Sequence, residues 1–223
     1  MRMRLKKHLD ERIAECSEVL LAREGDGFFQ LSEEEKKQFQ QNPTAVFGNG
    51  NKVCLEIGCG KGAWALQCAA LHPDINYIAL EKLSNVIVVA CEQASKLNLH
   101  NLRFLNVRAE NLDSFLTPCS VDEIALNFSC PFPKKTYANR RLTSKYFLEL
   151  YKRLLKPHGT ISQKTDDYDF FLWSIDSYRE NGYEVYDVCY DLPADAVGNV
   201  VTEYEAKFRA LGKPIYSLKA KSH

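Results

Sequence analysis

The chain has 223 residues, 45% of them hydrophobic, which is enough apolar material for one α/β core with a short extension and excludes an intrinsically disordered chain. Its 29 Lys and Arg balance 29 Asp and Glu, so net charge gives no general attraction to a polyanion, and any nucleic-acid role has to come from how the charges are distributed. No apolar run reaches the ~20 residues of a membrane span, and the basic N-terminus is followed by no apolar leader region, which implies a cytoplasmic protein.

The first eight residues, "MRMRLKKH", carry Arg2, Arg4, Lys6 and Lys7 with no acid. "LDERIAECSEVLLARE" then places Leu9, Ile13, Cys16, Leu20 and Leu21 at helical spacing, and Ser32 with Glu35 forms a capping-box pattern. Residues 1–50 are therefore expected to be a basic, helical N-terminal extension, and residues 51–223 a single domain. From residue 52 strands and helices alternate. The expected strands are "KVCLEI", "INYIAL", "NLRFLNV", "VDEIALNF", "GTISQKT", "GYEVYDVCYDL" and "KPIYSLKA". Helices are expected at about 63–71, 84–97, 143–155, 168–181 and 203–210. This order predicts a Rossmann-like, doubly wound α/β fold with a mostly parallel seven-stranded sheet. The eight cysteines contain no C-x-x-C pair, so reduced thiols are expected and no metal site is.

In "CLEIGCGKGAW" a strand runs into Gly58, Gly60 and Gly62 and then a helix, the arrangement in which a ligand lies against bare main chain. The spacing is neither the dinucleotide fingerprint nor a P-loop. Glu56 stands just before the glycines, a poor neighbour for phosphate and a suitable one for a cationic ligand. Glu81 closes the next strand, where an acid bridges ribose hydroxyls. A ribose without phosphates and with a positive charge describes S-adenosyl-L-methionine. Further on, "NFSCPFPKKTYANRR" takes a strand into Pro131 and Pro133, which forbid helix and ladder alike, and then into five cations between Lys134 and Lys145 with no acid. A stiff loop at a strand end is expected to serve a ligand, and the cations after it to follow an RNA backbone.

Taken together, the glycine loop, "INYIALE", "LNFSxPxPKK", "RRLT", "KTD" and "TEYEAKF" resemble the bacterial tRNA (guanine-N(7)-)-methyltransferase family, with coverage from "MRMR" to "GKPIYSLKA". The resemblance implies S-adenosyl-L-methionine as cofactor and a guanine in the variable loop of tRNA as acceptor. It implies Glu56, Glu81, Arg108, Ala109 and Cys130 as cofactor-binding positions, and Lys134, Asp166, Thr202, Glu203, Tyr204 and Glu205 as substrate-binding positions. The family's loop reads Asp-Pro-Trp-Pro-Lys-Lys-Arg-His; here Cys130, Phe132, Thr136 and Tyr137 replace four of those residues, so a cysteine stands at the catalytic aspartate position. Arg108 likewise stands where an acid normally faces the adenine, and Glu110 is a candidate substitute. Two rivals remain at this point: a retired member that binds tRNA or cofactor without turnover, and a methyltransferase with a drifted substrate. "TEYEAKF", which reads as in the family, favours the active enzyme. Either a monomer or a homodimer fits the sequence.

Overall fold

The computed structural model describes residues 6–222, so Arg2 and Arg4 of the basic octet lie outside the described residues. The chain forms two compact units, residues 1–117 and 118–223. In the first are α1 (Leu9–Glu15), β1 (Leu20–Arg23), β2 (Gly27–Phe28), α2 (Glu33–Gln41), β3 (Lys52–Ile57), α3 (Ala63–Leu71), β4 (Ile75–Leu80), α4 (Ser84–Leu97) and β5 (Leu102–Asn106). The second holds β6 (Val121–Asn127), α5 (Lys145–Leu154), β7 (Leu155–Thr165), α6 (Tyr168–Glu180), β8 (Tyr183–Cys189), α7 (Glu203–Ala210) and β9 (Tyr216–Ser222).

All seven expected strands form, as β3 to β9, but the described residues hold nine. The two additional strands come from residues 20–28, which the periodicity assigned to a helical extension. The helix stops at Glu15, and the run Leu20-Leu21-Ala22 is buried as strand β1, parallel to β5 on one side and antiparallel to the short edge strand β2 on the other. A short apolar run of this kind satisfies both periods, and a partner strand far along the chain, where Leu20 pairs with Phe104, decides it. Elsewhere the N-terminal reading fits: Ser32 Oγ accepts from Glu35 N at 3.2 Å and Glu35 Oε2 from Ser32 N at 2.8 Å, which starts α2. Helix α1 lies on α4, joined to it by a two-pronged pair from Arg12 to Glu92 at 2.6 and 2.8 Å.

In the first unit β1, β5, β4 and β3 run parallel in that order, with Val53, Leu55, Ile78, Phe104 and Leu105 fully buried. Burial on both faces is why these strands read as continuous apolar runs. In the second unit β6 pairs parallel with β7, and β7, β9 and β8 pair antiparallel. Its core is built by Phe147, Leu148, Tyr151 and Leu154 of α5 with Phe170, Phe171 and Tyr178 of α6. The result is the Rossmann-like α/β class.

Candidate functional site: a glycine cradle and a pinned proline loop

Three parallel strands of the first unit, β3, β4 and β5, end side by side, and their carboxyl ends carry Glu56 to Gly62, Glu81, and Arg108 with Ala109. Ligands of open α/β sheets bind at such an edge. The amides of Gly58 and Cys59 both donate to Leu80 O, at 2.8 and 2.9 Å, which folds the glycine loop over the end of β4. Gly58 and Gly60 have φ of +85° and +59°, and a Cβ on either would meet nothing within 4 Å, so each presents bare backbone to open space. Gly62 has a different reason to be glycine: besides its φ of +79°, a Cβ there would lie 2.7 Å from the Ala90 Cβ of α4.

Two carboxylates flank this loop. Glu56 is buried at the end of β3. Glu81 is held by its main chain, Glu81 N to Leu105 O at 3.2 Å and Asn106 Nδ2 to Glu81 O at 2.8 Å, while its Oε1 accepts from Leu83 N at 2.9 Å. Asn106 is fixed in turn by Ser84 Oγ at 2.6 Å. The Cys59 thiol between the acids is pushed well above its ordinary value, first by burial and then by the charges of Glu56 and Glu81, so it stays protonated and both carboxylates project their field onto the loop. An open backbone face with two nearby carboxylates fits a cation that carries a ribose.

Arg108 is exposed, and the acid beside it comes from β1's end: Glu24 Oε2 accepts from Arg108 N at 3.2 Å and its Oε1 from Asn111 Nδ2 at 3.0 Å. Glu24 thereby fixes the turn that holds Ala109. Glu110, the substitute suggested by sequence, is exposed on the following short 3₁₀ turn, residues 109–114.

The remaining predicted positions lie on the second unit. Cys130 is an exposed free thiol in the proline loop. The loop is strained at two aromatic residues, Phe128 and Phe132, with φ of +51° and +41°. Arg141 pins it: Nε donates to Pro131 O at 2.8 Å and Nη2 to Phe132 O at 3.1 Å, with the guanidinium 4.4 Å from the Trp173 ring centroid. This corrects the reading of Arg141 as one of five cations for an RNA backbone, because its groups are spent inside the protein. Arg140 lies 4.9 Å over the Phe132 ring, so that ring already has a guanidinium against it. Lys134 and Lys135 remain exposed.

At the end of β7, Asp167 caps α6 through Phe170 N at 2.8 Å, while Asp166 pairs with Lys213 Nζ at 2.7 Å. The run Thr202 to Glu205 divides. Thr202 Oγ1 caps α7 by accepting from Glu205 N at 2.9 Å. Glu205 is fully buried, taking Lys164 Nζ at 2.8 Å, Asn199 Nδ2 at 2.9 Å and Arg209 Nη2 at 2.7 Å. It therefore has no free edge for a guanine, contrary to the expectation from the resemblance that it is a substrate-binding position. Glu203 and Tyr204 are exposed. Sequence reasoning missed Glu24, Asn106, Arg141, Lys164 and Arg209; the local signals were Arg141's place in "RRLT" and Lys164's in "KTD".

Comparisons with known proteins bear on the family and the fold. The profile of a family described as "Putative methyltransferase" matches residues 50–218. A protein of Bacillus licheniformis named tRNA (guanine-N(7)-)-methyltransferase is 38% identical over 221 residues, 99% of this chain and 98% of that protein. One of the same name from Geobacillus thermodenitrificans is 44% identical over 176 residues, 78% of this chain and 82% of that protein. Among solved structures, the 16S rRNA methyltransferase KamB is similar with a TM-score of 0.63 at 18% identity, covering 89% of this chain and 98% of that one. An antibiotic-related methyltransferase gives 0.62 at 20% identity, covering 87% and 95%. At those identities the structures speak for the fold alone.

Proposed function

We propose that the acceptor guanine lies in the variable loop of tRNA: the chain belongs to the bacterial tRNA (guanine-N(7)-)-methyltransferase family and is an S-adenosyl-L-methionine-dependent enzyme that methylates guanine N7 in tRNA. The observation that carries the cofactor half is the open face of Gly58 and Gly60 between Glu56 and Glu81. Glu81 would hold the ribose hydroxyls through the oxygen that Leu83 N does not use, Glu56 would favour the cationic end, and the backbone at Arg108 and Ala109, steadied by Glu24, would meet the adenine. The cofactor supplies an electrophilic methyl group on a sulfonium. Guanine N7 carries an in-plane lone pair and no proton, so the protein's task is alignment and proximity, with no general base required. Cys130, Lys134 and Asp166 line the acceptor side, and Glu203 and Tyr204 meet the RNA, while Thr202 and Glu205 act by holding α7 in place. Residues 51–223 form the methyltransferase domain, to which residues 1–50, basic only over their first eight positions, add α1, β1, β2 and α2. The enzyme works in the cytoplasm; among the described residues no helix is long and apolar enough to cross a membrane.

The test is methyl transfer from labelled S-adenosyl-L-methionine to an unmodified tRNA transcript, with the product mapped by cleavage at 7-methylguanosine. Label at one variable-loop guanine is expected. Cofactor binding without transfer, or label elsewhere, would overturn the assignment.

A further inference from the structure

Three rings of the second unit meet just beyond β6. Phe128 and Tyr204 have centroids 6.4 Å apart and planes at 21°, Phe128 and Phe208 5.8 Å and 27°, Tyr204 and Phe208 6.3 Å and 27°. A column of three rings would put the outer pair at twice the neighbour spacing. Three nearly equal separations with near-parallel planes describe a triangle of mutually offset rings instead, an aromatic wall. The wall is not sealed into the core: Phe128 and Phe208 are half-buried and Tyr204 is 57% exposed. Its rim is cationic, with Lys213 Nζ 4.8 Å and Lys207 Nζ 5.9 Å from the Phe208 centroid, and Lys213 is oriented by Asp166. Phe128 holds a left-handed backbone conformation that a bulky residue adopts only at a cost, and its amide donates to Lys164 O at 2.8 Å.

We propose that Phe128, Tyr204 and Phe208 form a stacking platform for one unstacked nucleobase of the tRNA, with Lys207 and Lys213 meeting its phosphates. The proposal rests on the tRNA methyltransferase reading and adds a subsite to it. An aromatic face accepts any base, and cations beside it suit the sugar–phosphate chain of a single strand, which is the combination that unpaired RNA requires. A base that must leave its helix for chemistry leaves neighbours unstacked as well, and the platform repays that loss.

The experiment uses the full-length protein and tRNA transcripts carrying 2-aminopurine at the methylated position or at either neighbour, one position per transcript. Stacking quenches this fluorophore. Binding is expected to quench one of the three reporters. Tyr204→Ala should abolish that quench and weaken tRNA binding about 5- to 150-fold, the span of one base–aromatic stack. Tyr204→Phe, which keeps the ring, should retain the quench, and Phe208→Leu should reduce it. Cofactor binding, measured on each variant, reports that the chain is folded. A quench equal in wild type and Tyr204→Ala, or no quench on a tRNA that is nonetheless methylated, would overturn the platform and leave the enzyme's function standing. A tRNA neither bound nor methylated would overturn the functional reading and the platform with it.

Discussion

Glu205 offers the most demanding test of the second unit. Its carboxylate has no exposed surface and accepts from Lys164, Asn199 and Arg209, tying α7 and the segment before it to β7. Glu205→Gln keeps the shape but removes the charge and turns an amide toward cations. Breaking a buried pair from one side costs about 3 to 5 kcal/mol. Arg209 is 23% exposed and can turn to water, which places the cost near the lower end, about 3 kcal/mol. For a chain of this length that corresponds to a Tm lower by about 6 to 12 °C. Burial is the largest single influence on the Glu205 carboxyl and pushes it up, but the hydrogen bonds from Lys164, Asn199 and Arg209 together outweigh it, leaving the group below its ordinary value. A carboxyl depressed by folding stabilises the protein at neutral pH, and that contribution disappears as pH falls below about 4.3 and through the folded value. Thermal unfolding followed by circular dichroism at pH 7 and at stepwise lower pH should therefore show a large gap between wild type and variant that narrows in acid. A gap under about 2 °C at pH 7, or one that stays constant with pH, would refute the argument.

The glycines should separate by role. Gly60→Ala is expected to cost only about 1 kcal/mol of stability yet weaken S-adenosyl-L-methionine binding in calorimetry, because the new methyl group enters the ligand's face; Gly62→Ala, meeting Ala90, should cost about 2 to 4 kcal/mol by thermal melt. Arg141→Lys loses the fork that grips Pro131 and Phe132, so methyl transfer should fall while cofactor affinity is kept, with about 2 kcal/mol lost in stability. Glu24→Gln should raise the dissociation constant of S-adenosyl-L-methionine several-fold with little change in the KM for tRNA. Cys130→Asp should raise kcat in single-turnover assays, since a carboxylate accepts hydrogen bonds from guanine's N–H edge and steadies its positive charge better than a thiol does.

What the sequence disclosed follows from the range of the forces involved. Strands such as "KVCLEI" and "INYIAL" are predominantly apolar because both faces are covered, and the glycine loop is legible because its conformation is set within five residues. Strand β1 was not legible, since its identity depends on pairing with β5. Cations were the other blind spot. Arg140, Arg141 and Lys164 look alike in a sequence, but Arg141 holds two loop carbonyls, Lys164 holds a buried carboxylate and only Arg140 of the three stays exposed, over the Phe132 ring. Burial by distant partners makes that distinction, and no local pattern records it. For the same reason the two acids of "TEYE" looked equivalent before Glu205 proved to be enclosed.

The proline loop shows why the cysteine at position 130 changes chemistry more than architecture. Its shape is dictated by parts that do not include residue 130: two prolines, the positive φ of Phe128 and Phe132, the grip of Arg141 on two carbonyls and the contact of that guanidinium with Trp173. Strain of about 1 to 3 kcal/mol at each aromatic residue persists only where surrounding contacts over-determine the fold. An exposed side chain in so constrained a frame can be exchanged between carboxylate and thiol with the backbone unmoved. Alignment, the larger part of catalysis at an atom that needs no deprotonation, is thus retained with cysteine in place. Under the proposed reading, the cysteine would give up the electrostatic complement to a methylated, positively charged ring, and Cys130→Asp would supply it.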